Sequence, residues 1–417
     1  MHDEETVQRL IKSAEQQIRN AFEHIEGTID ANQWKVIRAF QKHQVSDYHF
    51  SASTGYGYND RGREVLDHVY AEVFGAEAAI VRPHLVSGTH TIATALFGLL
   101  RPREELLYIT GRPYDTLHKV IGSGPDGSGS LRDWEIEYNE VELAADGQPD
   151  WEGIRAAITD KTKVIGIQRS RGYQWRTSFS IAQIGEMVKF VKAIKPDVVV
   201  FADNCYGEFT ERQEPTEAGV DLIAGSLIKN PGGGLAASGG YIAGRDDLVQ
   251  KAAYRLTAPG IGGEVGAMLG TTRSIYQGLF LAPHLVGQAL KGSVLAAKVF
   301  ADCGYETSPK WDEPRTDLIQ AIRFTNEDEL ITFVQAVQKA AAVDAHVLPE
   351  PWEMPGYKHP VIMAAGTFIQ GGSLELSADA PIRKPYIAYM QGGLTYSHVK
   401  LGVITALSEL QKKHSLS

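Results

Sequence analysis

The 417-residue chain has only two cysteines, Cys205 and Cys303, too few for a disulfide framework and without metal-ligand spacing. A reducing, cytoplasmic setting is the expectation. Basic charge is also scarce: 41 Lys and Arg stand against 51 Asp and Glu, a net charge of −10, which argues against nucleic acid or an anionic membrane as partner. The apolar stretch around Ile92 to Leu100 falls far short of the roughly 20 residues that span a bilayer, so no membrane segment is expected. The start, Met1-His2-Asp3-Glu4-Glu5, is acidic and unlike a secretory signal. His84, His90 and His118 are scattered without the spacing of a zinc motif, and no metal site is expected. Internal repeats are lacking, and the one biased tract is the glycine-rich stretch around 231–240. What remains is ordinary for a large globular enzyme, with 43% hydrophobic and 22% charged residues. The length exceeds what one core usually organises, so a large domain plus a smaller one is expected.

From about 60 to 260, short apolar runs alternate with helical patterns. Ala79-Ile80-Val81, Glu105 to Ile109, Lys163 to Ile167, Val198 to Phe201 and Leu222 to Ser226 read as strands apolar on both faces. They predict an α/β fold with a mostly parallel sheet covered by helices on both sides. Gly239 to Gly244 reads as one further strand running against the others. Residues 4–42 read as two helices broken near Gly27-Thr28-Ile29-Asp30, with Asp30 as an N-cap. A long helix is predicted near 264–302, strands near 317–324 and 361–377, and a terminal helix near 395–412. The resulting division is an N-terminal helical arm and loop over 1–60, a large domain over 61–290 and a small α+β domain over 291–417.

Lys229 carries the most chemical information. It follows Ser226 by three residues, precedes Asn230-Pro231-Gly232-Gly233-Gly234, and lies 26 residues beyond Asp203, which ends an apolar run. That separation holds one helix and one strand, so two neighbouring strand ends can deliver both side chains to one cleft. A lysine amine is a poor nucleophile at neutral pH unless desolvated or bound to a carbonyl cofactor. A carboxylate set against a pyridine nitrogen keeps that nitrogen protonated and makes the ring an electron acceptor. Lys229 and Asp203 together therefore point to pyridoxal 5'-phosphate, with the Ser226 hydroxyl available to its phosphate and the glycines allowing close backbone approach.

Other residues fit around that pair. Ser87-Gly88-Thr89 opens a helical run, where free amides and the helix dipole suit a phosphate. Tyr114, beyond the strand ending at Ile109, is placed to stack on the cofactor ring and handle a proton. Tyr56, Tyr58 and Arg61, in a glycine-loosened loop, can clamp a phosphate, across a dimer interface in one arrangement. Beyond the strand 163–167, one of Arg169 and Arg171, or Ser170, is placed to touch the ring oxygen or the substrate, and Arg383, after the expected strand 373–377, is a candidate for a substrate carboxylate, which an arginine fork holds in one orientation. Cys205 reads as a small buried residue rather than a nucleophile.

On these residues the sequence resembles the fold-type I pyridoxal phosphate enzymes, and within them the family named for methionine gamma-lyase and aluminium resistance, related to the cystathionine lyases. The resemblance runs from the Tyr56–Arg63 loop to Gly392-Gly393 and is most specific over Phe201–Phe209 and Gly225–Gly234. It implies Lys229 as the Schiff-base lysine, Asp203 on the pyridine nitrogen, and Ser87, Gly88, Thr89 and Ser226 on the phosphate. It further implies Tyr114 on the ring, with Tyr56 or Tyr58 and Arg61 supplied by a neighbouring subunit, hence a dimer or tetramer with shared sites. The chain departs from those lyases where Asn230-Pro231 follows the lysine. The implied reaction is β- or γ-elimination of a sulfur-linked group from an amino acid. Transamination, aldol cleavage, or a cofactor-holding protein with little turnover stay open, because a fold does not fix a reaction.

Overall fold

The computed structural model describes residues 2–123, 127–354 and 358–414. Seven strands form the first sheet: β1 (Ala78–Arg82), β2 (Glu105–Tyr108), β3 (Glu137–Glu140), β4 (Thr162–Gln168), β5 (Val199–Asp203), β6 (Leu222–Ser226) and β7 (Gly240–Gly244). Their order is β1-β7-β6-β5-β4-β2-β3. Strands β3, β2, β4, β5 and β6 are mutually parallel, while β7 runs antiparallel to β6 and to β1. β3 escapes the sequence reading because it is a half-exposed, polar edge strand with no apolar run.

Among the described residues eleven α-helices accompany the strands: α1 (His2–Gln17), α2 (Arg19–Lys42), α3 (Arg61–Val73), α4 (Gly88–Leu99), α5 (Asp115–Ile121), α6 (Trp151–Ala157), α7 (Ile181–Ile194), α8 (Asp246–Leu256), α9 (Thr272–Asp302), α10 (Glu327–Lys339) and α11 (Tyr396–His414). Alternate strand residues explain the layers. Val164, Val199, Phe201 and Leu222 pack against Ile92, Leu96, Leu248 and Ala252 of α4 and α8. Ile165, Ile167, Val200 and Ile223 face the opposite core, shared with α3, α7 and α9. Both faces are thus covered, as parallel strands require.

The N-terminal arm differs from expectation. The helix break falls at Ile18, and α2 runs unbroken through Gly27 and Asp30. Tertiary packing overrides local propensity here. Ile25, Ile29, Val36 and Ala39 form one buried stripe, and a Cβ at Gly287 of α9 would lie 2.0 Å from Ile29 Cδ1. Among the described residues α9 is also long and apolar enough to cross a membrane by length and composition, a feature the search for uninterrupted apolar runs passes over. Most of that window is buried in the core, and its Lys291 and Lys298 pair with Glu26 and Asp302.

The second sheet is antiparallel: β8 (Glu306–Ser308), β9 (Gln320–Arg323), β10 (Val361–Ala364), β11 (Ser377–Pro381) and β12 (Ile387–Gln391), in the order β10-β11-β12-β9-β8. The strand expected at 373–377 starts only at Ser377. The Glu375 carboxylate instead accepts the backbone N–H groups of Phe368 and Ile369 at 2.8 and 2.9 Å, a local capture that competes with strand pairing. α9 passes position 290 without interruption, so a continuous helix joins the two sheets.

Candidate active site

The parallel strands β2, β4, β5 and β6 end at one edge of the sheet, where open α/β folds place their ligands. The loops leaving those ends line a cleft of about 410 Å³, closed on its far side by β11 and β12. Asp203 ends β5, and Ser226 ends the neighbouring β6. The chain then turns, with the Lys229 amide donating to Ser226 O at 3.3 Å, and the lysine side chain enters the cleft. Its Nζ lies 4.1 Å from the centre of the Tyr206 ring.

The N-terminus of α4 abuts this lysine. A Cβ on Gly88 would stand 3.6 Å from both Cys205 Sγ and Ser226 Cβ, and 3.9 Å from Lys229 Nζ. The first amides of a helix have no partner within it and favour an anion. Ser87 serves as N-cap, its hydroxyl accepting the His90 N–H at 3.0 Å, while Gly88 and Thr89 reach the cleft wall. The Ser226 hydroxyl is buried and has no hydrogen-bond partner among the described residues. Such a group is rare in native proteins and calls for a ligand atom or water. A phosphate at this helix end would accept from it, so these residues fit pyridoxal phosphate.

Burial raises the Asp203 carboxyl above its usual range, and the Lys229 charge opposes that shift. For Lys229, burial works downward, but the negative charge of Asp203 works upward, and the amine is held above its ordinary value. Tyr114 donates its hydroxyl to Thr89 Oγ1 at 3.1 Å, and its amide donates to Gln168 Oε1 at 2.8 Å, fixing the ring against the cleft. Burial pushes the Cys205 thiol far up, the Asp203 charge adding to it, so it stays a neutral, inert wall residue.

Arg171 lies in the same cleft, fully buried. One of its nitrogens donates to Ser308 O and Oγ at 2.8 and 3.1 Å, and its Nε and second Nη have no partner. Arg383 stands exposed at the rim. Tyr56 and Tyr58 lie outside the cleft, 73% and 64% exposed, with Arg61 reaching only Glu64 at 3.8 Å. The neighbouring Arg63 pins that loop by donating to the carbonyls of Gly57, Gly266 and Glu264. The close approach expected of the glycines after Lys229 is made to protein. A Cβ on Gly233 would stand 2.1 Å from Gly278 O of α9. Asp379, Tyr389, Gln391, Tyr173 and Tyr206 line the cleft without having been singled out from sequence. For Asp379, the available signal was the alternation Ser377, Asp379, Pro381 on one face of a strand.

Fold and site define the class. The architecture is that of the fold-type I pyridoxal phosphate enzymes. YhfS of Escherichia coli, a pyridoxal phosphate-dependent protein, shares it with a TM-score of 0.63 at 15% identity, over 94% of this chain and 97% of that one. The chain belongs to the methionine gamma-lyase family, whose model matches residues 7–411. An uncharacterised Bacillus subtilis protein, YnbB, is 54% identical over 98% of this chain and 97% of its own length. A Listeria monocytogenes structure, provisionally named a cystathionine beta-lyase involved in aluminium resistance, is 56% identical, with a TM-score of 0.95 over 97% of this chain and all of that one. A Clostridium novyi structure named a carbon-sulfur lyase involved in aluminium resistance is 50% identical, with a TM-score of 0.94 over 97% and 96% of the two chains.

Proposed function

We propose that this protein is a pyridoxal phosphate-dependent carbon-sulfur lyase acting on a sulfur-containing amino acid. The carrying observation is the convergence of Lys229, Asp203 and the unpartnered Ser226 hydroxyl at the N-terminus of α4. Gly88, Thr89 and Ser226 would hold the phosphate, Asp203 the ring nitrogen and Tyr114 the ring face. When bound, the cofactor supplies an electron sink that weakens the substrate Cα–H bond and lets a β or γ substituent leave. Lys229, whose side chain lines the cleft, would be the proton carrier: as a free amine it would take the Cα proton of a bound amino acid and return one later. Asp203 keeps a proton at the pyridine nitrogen, a role that its burial beside a cation suits. Arg171, with two buried guanidinium nitrogens that lack an acceptor among the described residues, suits the substrate α-carboxylate better than the solvated Arg383.

The exposed Tyr56, Tyr58 and Arg61 support a homo-oligomer in which each chain completes its neighbour's phosphate site. Mixing inactive Lys229→Ala chains with inactive Arg61→Ala chains should restore part of the activity. No recovery despite proven subunit exchange argues against sharing. The reaction itself is tested with cystathionine, methionine, cysteine, homocysteine and threonine as substrates. Ammonia and a 2-oxo acid released without an amino acceptor mark the lyase, and a requirement for an amino acceptor overturns it.

A further inference from the structure

The wall opposite Lys229 holds a carboxylate that the reading above does not use. Asp379, in the middle of β11, lines the cleft and accepts hydrogen bonds from Tyr173 Oη at 3.0 Å and Gln391 Nε2 at 3.3 Å. Both donors are neutral. Among the described residues no Lys, Arg or His nitrogen pairs with it, although Arg171, Arg383, Lys358 and Lys229 line the same cleft. Asp379 is half-buried; a carboxylate partly withdrawn from water without a counter-cation is costly, and a cleft that keeps one open has a place for a ligand cation.

Its position relates to the chemistry. Tyr206 links the two walls: its ring packs under Lys229 Nζ, and burial raises its phenol, with the Lys229 charge opposing and the Asp379 charge reinforcing that shift. An amino acid held with Cα at Lys229 and its carboxylate toward Arg171 can direct its side chain toward β11 and β12. A side chain ending in methyl or thiol offers Asp379 nothing. One ending in an ammonium offers the missing counter-ion.

We propose that Asp379 receives a second, distal ammonium group and selects thioether substrates that carry a cation beyond the scissile C–S bond. This rests on the lyase reading for the meaning of the scissile bond, but the contact itself is testable by binding. The holoenzyme and its Asp379→Asn variant are assayed with cystathionine, which has a distal ammonium, and S-methylcysteine, which has none. The ratio of the two kcat/KM values should fall at least tenfold in the variant, through KM for cystathionine, with partial recovery in Asp379→Glu. Equal losses on both substrates make Asp379 a structural residue and overturn the proposal, as does an unchanged ratio. Titration calorimetry on the cofactor-loaded Lys229→Ala protein, with and without Asp379→Asn, gives a readout without turnover. The cystathionine Kd should rise at least tenfold and the S-methylcysteine Kd much less. If the wild-type protein cleaves neither compound nor any of the other amino acids tested above, the lyase reading fails while calorimetry still decides the Asp379 contact. If it cleaves both and Kd shows no selective change, the contact fails alone.

Discussion

The two walls of the cleft are built on different physical terms. The wall from the parallel sheet is made at strand ends, where β5 and β6 fix Asp203 and Ser226 within a core buried on both faces. The wall from the antiparallel sheet is made from strand faces, where Asp379, Tyr389 and Gln391 look outward from β11 and β12 into the cleft. The first arrangement offers a few rigid positions suited to a chemistry that does not change. The second offers a surface whose alternate residues can be exchanged without disturbing the ladder. On the function proposed above, reaction class would belong to one wall and selection among substrates to the other.

If that division holds, substitutions on the first wall should lower turnover for every substrate alike. Lys229→Ala should have the largest effect, reducing turnover by at least about 10³-fold, because it removes the proton carrier at Cα. Circular dichroism should show the fold unchanged. Full activity in this variant breaks the assignment at its centre. Asp203→Asn should follow, with about a 10²-fold loss in Cα hydrogen exchange and much of the cofactor retained. A wild-type exchange rate would remove Asp203 from the ring nitrogen.

Ser226→Ala should act on affinity instead. One hydrogen bond to a charged group is worth roughly 1.5–3 kcal/mol, so the cofactor Kd should rise by about tenfold or more. The cofactor-free variant should be no less stable than the wild type, since the hydroxyl it loses is buried without a partner. A drop in the melting temperature of the cofactor-free protein would mean that the hydroxyl has a structural role.

The same division governs what sequence could reveal. Strands β4, β5 and β6 are short runs apolar on both faces, and Lys229 with Asp203 follows from two strand ends and their separation. Helix α2 defeats local reading because its continuity past Gly27 depends on α9, more than 240 residues later. Arg171 was legible as a candidate, but its preference over Arg383 depends on burial against Ser308, which only the fold supplies. Asp379 was hidden as the flank of Arg383, since its partners Tyr173 and Gln391 come from other segments. Local motifs reveal a wall made of strand ends, and long-range pairing conceals a wall made of strand faces.

The smallest expected effect is a pH dependence confined to the second wall. Burial pushes the Asp379 carboxyl up to about 6, the hydrogen bonds from Tyr173 and Gln391 only partly offsetting it. A raised carboxyl is ionised above that value and neutral below it, so an ammonium ligand loses its counter-ion as pH falls through about 6. KM for cystathionine should therefore climb several-fold between pH 7 and pH 5. Tyr173, Tyr206, Tyr389 and Gln391 face Asp379 from the neighbouring elements, and Lys229, Arg171, Arg383, Lys358 and His359 line the cleft around it. The informative quantity is therefore the KM of cystathionine relative to that of S-methylcysteine, which removes any effect common to both substrates. That ratio should rise toward low pH in the wild type and stay flat in Asp379→Asn. A ratio that still bends near pH 6 in the variant would assign the titration to another group and detach Asp379 from substrate selection.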